Sequence, residues 1–554
     1  MIDRPWLDAY PPGVPPDIDP DEYASLAELL EASFVRFAEM PAFSNLGTQL
    51  SFAAIDRLSR DFAAYLQSIP ELKHGDRVAV MMPNVLQYPV AVFGILRAGL
   101  VVVNVNPLYT PRELEHQLTD SGASAIVVLE NFAATVAEVL ERTEVEHVIV
   151  SGLGDHLPAL RRVLTHLVLK YVKRLVPAWR IDGTVRYTVA LGIGAGRDYQ
   201  RVELGPDDIA FLQYTGGTTG VAKGAELTHR NMVANVLQSA AWSRPVIEGP
   251  GDLIVTPLPL YHIFSLTVNL LCYVELGGHN LLITNPRDVA GFVKELKKSS
   301  FSFMTGVNTL FVALLQRPEF AEVDFSALKS CMGGGMAVQR AVSDDWKALT
   351  GMPIVQGYGL TEASPVISSN PLTQREFNGS VGLPFPSTEV AIFDASGEIL
   401  PTGEIGEICA RGPQVMRGYW KRPEATAAAI TVDGWLHTGD VGRMDEQGFI
   451  YIEDRLKDLI IVSGFNVYPS EIEGVVVSHP GVLEAAVIGV PDAGTGEAVK
   501  LFVVKKDAAL GEQELVDYCR ERLTGYKIPH QVEFRDDLPK TNVGKVLKRD
   551  LRDE

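Results

Sequence analysis

The sequence contains few cysteines and has no basic excess. Its 554 residues include four cysteines, none in a C-x-x-C pair. Neither a disulfide framework nor a zinc site is therefore predicted. The formal net charge is -20 at pH 7, which argues against a nucleic-acid-binding protein because such proteins need a basic surface. Any anionic substrate must then be held by local groups.

Long hydrophobic runs are also missing. The most apolar region, 85–105, is interrupted by Pro89, Arg97 and Asn104, whereas a membrane-spanning helix needs about 20 apolar residues. The first 23 residues are acidic and proline-rich, without the basic start and apolar core of a signal peptide. The sequence predicts no transmembrane segment and a cytoplasmic location.

The common nucleotide-triphosphate loop, G-x-x-x-x-G-K-[ST], is not present either. The nearest string is YTGGTTGVAKG at 214–224, where Ala222 and Gly224 break the pattern. A strand-like run precedes it and a helix-like stretch follows. Glycine N–H groups, hydroxyls and a lysine predict phosphate binding; a flexible surface turn is the alternative. The candidate residues are Thr215, Gly216, Gly217, Thr218, Thr219, Gly220 and Lys223.

Strand-like and helix-like segments alternate along most of the chain, which predicts an α/β fold with parallel sheets covered by helices. One helix is predicted from Pro111, with Thr110 as N-cap and Glu113 closing a capping box. Short strands with Gly-Pro turns predict a β-rich subdomain. The predicted division is a large N-terminal domain, 1–454, whose 382–454 part is β-rich, and a small α+β C-terminal domain, 455–554.

A second string, VQGYGLTEAS at 355–364, places Tyr358 between glycines and is followed by Glu362. The ring is suited to stack on adenine, and the carboxylate is suited to Mg²⁺; a tight turn before a helix is the alternative. The glycines at 333–335 allow the backbone to approach a ligand closely.

Three further positions carry charge near the predicted domain boundary and the C-terminus. Asp440, in DGWLHTGDVG, could accept both hydroxyls of a ribose, or be a solvated turn residue. Arg455 lies at the boundary itself. Lys545 follows a glycine near the C-terminus, where lysines ordinarily face solvent.

Together these strings resemble the adenylate-forming enzymes, which include acyl-CoA synthetases, peptide-synthetase adenylation domains and firefly luciferase. Within that superfamily the chain is most similar to the bacterial long-chain fatty acid–CoA ligases, through YTGGTTGVAKGAELTHRN, PLPLYHIF, DGWLHTGDVGRMDEQGFIYIEDR and SGFNVYPSEIE. The resemblance covers essentially the whole chain. It implies that ATP activates a fatty acid as acyl-AMP with release of pyrophosphate, and that the thiol of CoA then takes the acyl group.

The resemblance also implies residue roles. Lys545 corresponds to the catalytic lysine, Thr215 and Glu362 to the magnesium ligands, and His262 to an aromatic position near the carboxylate. A packed core histidine is the alternative for His262. The full nucleotide-binding set comprises the seven loop residues above together with Gly333, Gly334, Gly335, Gln356, Gly357, Tyr358, Gly359, Thr361, Asp440, Arg455 and Lys457.

The small domain of this family swings about a hinge after adenylation, and Lys457 lies at the hinge position. Leu456 replaces a lysine found in many fatty acyl members, and Ala337 replaces a frequent proline; neither departure touches the chemistry. A ligase for aryl or medium-chain acids, a ligase that feeds a carrier protein, and a non-catalytic sensor are the alternatives.

The acyl chain is expected to contact the segment before the glycine run. Gly306, Val307 and Asn308, with His262 and Gly333, are the predicted substrate-binding residues. An ordinary buried strand and helix would look the same, so the sequence leaves chain length open.

The segment 160–180 contains six Lys or Arg residues and no acid. Its apolar residues share one helical face and Arg162, Lys170, Lys173 and Arg174 the other, which is the pattern of a helix on an anionic membrane surface. An amphipathic helix packed on the protein is the equal alternative. Oligomeric state is left open, with a homodimer as one candidate.

Overall fold

The computed structural model describes residues 3–215, 222–247, 249–463, 465–492, 494–541 and 544–552. The predicted phosphate-binding residues Gly216, Gly217, Thr218, Thr219 and Gly220 lie outside these ranges, so their role stays a prediction. No helix in the described ranges has the length and apolar character needed to cross a membrane.

The strands within these ranges are β1 Pro41–Asn45, β2 Thr48–Ser51, β3 Arg77–Met81, β4 Val101–Asn104, β5 Ala123–Leu129, β6 His147–Ser151, β7 Val185–Arg186, β8 Ile209–Thr215, β9 Lys223–Thr228, β10 Leu253–Thr256, β11 His279–Leu282, β12 Phe303–Gly306, β13 Ser330–Gly333, β14 Ile354–Gly359, β15 Val366–Ser369, β16 Leu383–Pro384, β17 Glu389–Phe393, β18 Gly406–Arg411, β19 Gly418–Tyr419, β20 Leu436–Met444, β21 Ile450–Arg455, β22 Ile460–Val462, β23 Phe465–Val467, β24 Val482–Asp492, β25 Gly496–Lys505 and β26 Gln531–Arg535.

The α-helices are α1 Leu26–Arg36, α2 Phe52–Gln67, α3 Gln87–Arg97, α4 Pro111–Ser121, α5 Ala133–Val139, α6 Ala159–Leu167, α7 Tyr187–Ala195, α8 His229–Ser243, α9 Cys272–Glu275, α10 Val289–Leu296, α11 Asn308–Leu315, α12 Arg340–Thr350, α13 Pro423–Ala429, α14 Pro469–Val477, α15 Glu512–Arg520 and α16 Lys548–Arg552. Two π-helical segments, Val168–Val172 and Ser265–Leu271, continue α6 and precede α9.

Two large sheets form the first part of the chain. One has eight strands in the order β19-β9-β8-β4-β3-β5-β6-β7, and the other has nine in the order β16-β15-β14-β13-β12-β10-β11-β1-β2. Their central strands are parallel and their edge pairs antiparallel. Strands β3, β4 and β5 are apolar on both faces because helices cover both. The α/β prediction is confirmed.

The predicted capping box at the start of α4 is present. The Thr110 hydroxyl accepts from the Glu113 N–H at 3.4 Å, and the Glu113 carboxylate accepts from the Thr110 N–H at 2.8 Å. In contrast, the stretch after the phosphate loop begins as a strand and not as a helix. Its residues 223–228 form β9, which pairs with β8 and with β19, and α8 starts only afterwards. Sheet pairing therefore overrides the local helical pattern there.

Two smaller sheets follow. Strands β17, β18, β20 and β21 form an antiparallel sheet within the predicted β-rich part. One face of this sheet packs on the main core through residues such as Ile392, Ile408 and Leu436. Strands β22 to β26 form a five-stranded sheet drawn entirely from 460–535, with its own buried cluster. The division at residue 455 remains a prediction.

Candidate active site

Three predicted residues meet at one hydrogen-bonded cluster. The Tyr358 hydroxyl, on β14, donates to Asp440 Oδ2 at 2.7 Å, and Arg455 Nε lies 3.3 Å from Asp440 Oδ1. Asp440 and Arg455 are direct partners across β20 and β21. Burial, and then the neighbouring Asp440, raise the pKa of Tyr358, so its hydroxyl stays protonated and donates. Asp440 is 7% exposed and lies within a strand, so it is not a solvated turn residue.

A glycine wall, defined as Gly333 to Gly335, begins where β13 ends. A Cβ added at Gly334 would lie 2.9 Å from the Phe264 ring and 3.3 Å from the Gly357 carbonyl oxygen. Gly335 has a φ of 76°, a conformation that L side chains disfavour. The wall is therefore bare backbone because neighbouring groups leave no room for side chains at Gly333 and Gly334, and the backbone conformation disfavours one at Gly335.

The remaining predicted residues of β14 hold the wall in place. The Gln356 side chain accepts from the Val338 N–H at 2.9 Å and donates to the Ser380 carbonyl at 2.9 Å. The two hydrogen bonds of its amide therefore fix the backbone that follows the glycine wall. A Cβ at Gly359 would overlap the backbone of Pro365. Thr361 opens a short 3₁₀ turn, which leads into β15, whereas the alternative from the sequence was a turn before a helix.

The predicted metal-binding carboxylate has a partner that sequence reasoning did not identify. Glu362 Oε1 accepts from the Tyr419 hydroxyl at 2.7 Å, and Lys223 Nζ lies 5.1 Å from the Tyr419 ring centroid. The Thr215 hydroxyl lies 3.5 Å from the Lys223 carbonyl oxygen. Strands β8 and β9 both contact the turn that carries Glu362. Thr215, Lys223 and Glu362 are thus brought to one place.

Lys545 is also brought to this region. Burial lowers the pKa of the Lys545 ammonium to about 7; Arg455 and Lys457 lower it further, and Asp440 opposes them. Burial also lowers the pKa of His262 to about 4, with Lys545 as the second cause. His262 is therefore a neutral imidazole at neutral pH. The positive charge of Lys545 helps to keep it neutral.

A tight turn presents Lys545. The Thr541 N–H donates to the Lys545 carbonyl at 2.7 Å, and the Lys545 N–H donates to the Thr541 hydroxyl at 3.1 Å. At the tip of the turn, a Cβ on Gly544 would lie 2.5 Å from Thr309 Oγ1 and 3.8 Å from Val307. The turn therefore rests against the start of α11.

The predicted acyl-contacting residues lie beside that turn. Val307 is 8% exposed, and the Asn308 side chain accepts from the Gln339 N–H at 3.0 Å. A Cβ on Gly306 would lie 2.6 Å from the Phe311 ring. Asn308 thus supports the backbone, while Gly306 permits close packing of an aromatic ring.

Lys457, at the predicted hinge, is exposed in the 3₁₀ turn Leu456–Asp458. Asp458 beside it is buried and accepts from Arg552 at 2.9 Å. The last helix is therefore tied to the hinge segment by an ion pair.

Sequence reasoning missed Tyr419, Phe264 and Thr309. Tyr419 lies 57 residues from its partner Glu362, so no local spacing connects the two. Phe264 is the last residue of the recognised PLPLYHIF string and could have been found from its apolar character two residues after His262. Thr309 had no chemical signal.

Two family models match the chain. The AMP-binding enzyme model matches residues 30–420, and the model of the AMP-binding enzyme C-terminal domain matches residues 471–545. The chain belongs to the AMP-binding enzyme family.

Several individual proteins are similar to the chain over nearly its whole length. The chain is 57% identical over 549 residues to a long-chain-fatty-acid–CoA ligase of Escherichia coli O6:H1, covering 99% of this chain and 98% of that one. It is 40% identical to a long-chain-fatty-acid–CoA ligase of Bacillus subtilis, covering 100% and 98%. Among solved structures, ATP-bound MatB from Rhodopseudomonas palustris has a TM-score of 0.81 and 30% identity, covering 95% of this chain and 98% of that one.

Proposed function

We propose that this protein is a long-chain fatty acid–CoA ligase that forms AMP. A carboxylate oxygen of the fatty acid attacks the α-phosphorus of ATP, and pyrophosphate leaves. The CoA sulfur then attacks the acyl carbon, its proton goes to solvent, and AMP leaves. The observation that carries the proposal is the placement of half-buried Lys545 near Arg455 and Asp440, in a chain 57% identical to a ligase of this name.

Each site residue has a separate role in adenylation. Lys545, when protonated, holds the carboxylate and the α-phosphate together, since its positive charge offsets the repulsion between these two anions. Asp440 accepts from the ribose hydroxyls, and Arg455 pairs with its carboxylate at 3.3 Å. The Tyr358 ring packs beside the adenine, and the glycine wall lets the nucleotide approach the backbone. His262 lies near the acyl carboxylate as a neutral ring, so it adds no competing charge.

Mg²⁺ would be held by Thr215 and Glu362, whose hydroxyl and carboxylate oxygens suit a hard cation. When bound, the ion supplies charge neutralisation of the phosphates. Glu362 Oε1 already accepts a hydrogen bond from the Tyr419 hydroxyl at 2.7 Å, which leaves its other oxygen for the metal. Lys223, whose Nζ lies 5.1 Å from the Tyr419 ring centroid, would bind the leaving pyrophosphate through its positive charge.

The test is mass spectrometry of the products formed from ATP, CoA and an equal mixture of hexadecanoic, octanoic and benzoic acids. We expect AMP, pyrophosphate and mainly hexadecanoyl-CoA. An excess of octanoyl-CoA or benzoyl-CoA would contradict the long-chain assignment and favour a medium-chain or aryl acid ligase. Formation of acyl-AMP without thioester would favour transfer to a carrier protein. Release of ADP would overturn the proposal.

We further propose that the segment Ala159–Val172 with Leu175 binds anionic membrane surfaces. Its apolar residues do not pack on the protein, contrary to the alternative from the sequence. The exposed fractions are 74% for Leu160, 54% for Val163, 52% for Leu164, 45% for Leu167, 40% for Val168, 65% for Tyr171, 74% for Val172 and 52% for Leu175.

The segment is nevertheless attached to the protein at its middle and at its C-terminal end. His166 Nδ1 lies 3.1 Å from Glu130 Oε1, and the Asn131 amide donates to the Leu175 carbonyl at 2.9 Å. The exposed Lys170, Lys173 and Arg174 supply positive charge to a protein that is otherwise strongly acidic. An apolar face bordered by cations fits an anionic lipid surface better than it fits a second copy of an acidic chain.

Co-sedimentation with vesicles of anionic and of zwitterionic lipid tests this surface. Replacing Lys170, Lys173 and Arg174 by Gln should weaken binding to anionic vesicles roughly a hundredfold, since each basic residue near such a surface contributes about 1 kcal/mol. Added salt should weaken the parent protein too. The matched control replaces Lys294, Arg317 and Lys506, exposed elsewhere, and should bind normally. Salt-indifferent binding, or a homodimer that forms through this face and blocks vesicle binding, would refute the membrane assignment.

A further inference from the structure

Three side chains with metal-binding donor atoms converge on the outer face of the antiparallel sheet. His437 Nδ1 lies 2.8 Å from Glu407 Oε2 and 3.4 Å from Cys409 Sγ. All three donor atoms lie within 4.8 Å of one another. A single ion with ordinary metal–ligand distances of about 2.0 to 2.3 Å could contact all three.

The sheet itself creates this convergence. Cys409 and His437 are direct partners across β18 and β20. Glu407 precedes Cys409 by two residues, so both side chains point to the same face. The register of the two strands shifts between Glu407 and Cys409, which brings the carboxylate toward His437. His437 lies 28 residues from Cys409 and 30 from Glu407 in the sequence, so cysteine spacing alone could not reveal the three donors.

The carboxylate and its surroundings are fixed in place. Glu407 Oε1 accepts from the Gly439 N–H at 2.9 Å, which leaves Oε2 directed at His437. The Phe393 and Trp435 rings pack beside Cys409 in a small apolar cluster, and the Phe393 ring centroid lies 6.3 Å from that of His437. Such surrounding contacts orient ligands and limit water around a metal.

An ion can also reach the donors. The side chains of His437 and Glu407 are 31% and 19% exposed, whereas Cys409 lies beneath them at 0%. The approach is therefore through solvent on the outer face, away from the side of the sheet that packs on the main core. A water molecule would complete the coordination.

We propose that Glu407, Cys409 and His437 form a binding site for one divalent transition-metal ion of the Zn²⁺ type. One thiolate, one imidazole and one carboxylate are a ligand set that Zn²⁺ and Co²⁺ accept. Mg²⁺ is excluded because it prefers oxygen ligands. The Cys409 thiol releases its proton to solvent as the sulfur–metal bond forms. The site is separate from the proposed Mg²⁺ ligands Thr215 and Glu362.

Titration of the full-length protein with Co²⁺ tests the proposal, because a cobalt–thiolate bond gives a charge-transfer absorption band that does not depend on enzyme activity. We expect a band that saturates at one equivalent and is abolished by one equivalent of Zn²⁺, but unaffected by excess Mg²⁺. Mass spectrometry under native conditions should show one Zn²⁺ per chain.

Variants separate this site from other thiols. Cys409→Ser should remove the band, and His437→Gln should weaken binding at least about tenfold, the loss typical of disturbed metal sites. Cys519→Ser, at a buried cysteine on α15, should leave the band unchanged. Circular dichroism establishes whether each variant is folded. Absence of a cobalt–thiolate band in the folded parent, or its persistence in folded Cys409→Ser, would overturn the assignment.

Discussion

The two sides of the proposed active site are built differently. Tyr358, Asp440 and Arg455 sit on paired strands, and each is fixed by a hydrogen bond or ion pair to another. Lys545 sits on a turn that rests against Thr309 through its glycine tip. We infer that the nucleotide-binding side stays in place, whereas the side that carries Lys545 can move away. The proposed swing of the C-terminal domain would then withdraw one charge without disturbing the nucleotide contacts.

Replacing Lys545 should have the largest effect, because it removes the catalytic side of the proposed site and leaves the nucleotide-binding side intact. Lys545→Ala should lower acyl-AMP formation about a hundredfold to a thousandfold, as for loss of one group that stabilises developing charge. Thioester formation from supplied acyl-AMP should persist. Pyrophosphate exchange and a thioester assay measure the two half-reactions separately.

The matched control is Lys540→Ala in the same turn, since Lys540 pairs with Glu484 at 2.6 Å and Asp537 at 2.8 Å. It should retain both half-reactions. Equal loss of both half-reactions in Lys545→Ala would contradict the two-sided description.

On the fixed side, Asp440→Asn should lower kcat/KM for ATP about 10- to 100-fold, because hydrogen bonds to a charged group contribute about 1.5–3 kcal/mol. Unlike the lysine variant, it should act mainly through KM. Steady-state kinetics with varied ATP measure this effect. Asp445→Asn, in the turn after the same strand, is the control; a similar loss there would indicate damage to the sheet rather than to ribose binding.

The contact of the turn itself can be disturbed by Gly544→Ala. Gly544 has a φ of 83°, and a non-glycine residue in this conformation costs about 1–2 kcal/mol. We expect adenylation to fall roughly 5- to 30-fold, with little change in the thioester step. Gly525→Ala, which meets no atom within 4 Å, should be silent. Unchanged adenylation in Gly544→Ala would show that the turn does not dock in this way.

The smallest expected effect is the uptake of one proton by the protein when ATP binds. In the free protein the pKa of Lys545 is about 7, so at pH 8 only about a tenth of these lysines are charged. Bound phosphates favour the charged form and raise this pKa, so ATP binding should take up nearly one proton at pH 8 and almost none at pH 6. Calorimetry in buffers of different ionisation enthalpy measures the uptake. Uptake that persists in Lys545→Ala would exclude the lysine as its source.

Much of the fold was predictable from local sequence. Apolar runs identified strands such as β3, and Thr110 with Glu113 identified the start of α4. The segment after the phosphate loop was mispredicted because residues 223–228 pair with β8 on one side and with β19, near residue 418, on the other. The helical pattern took neither pairing into account, and the β19 partner lies far along the chain.

The candidate site shows the same limit. Tyr358, Asp440 and Lys545 were identified because each stands in a distinctive motif. Their contacts were not, since Tyr358 and Asp440 are 82 residues apart. Gln356 was expected to bind the nucleotide, yet its amide is occupied by two backbone groups. The identity of a side chain predicted which ligand atoms it could bind. Only the fold determined whether that side chain was already hydrogen-bonded to other parts of the protein.

The close approach of Phe264 to Gly334 has an evolutionary consequence. A methyl group on Gly334 would collide with an aromatic ring on one side and with a carbonyl oxygen on the other, so a smaller residue at 264 would relieve only half of the conflict. Homologous sequences should therefore change position 334 rarely, and only together with both position 264 and the backbone course around 357.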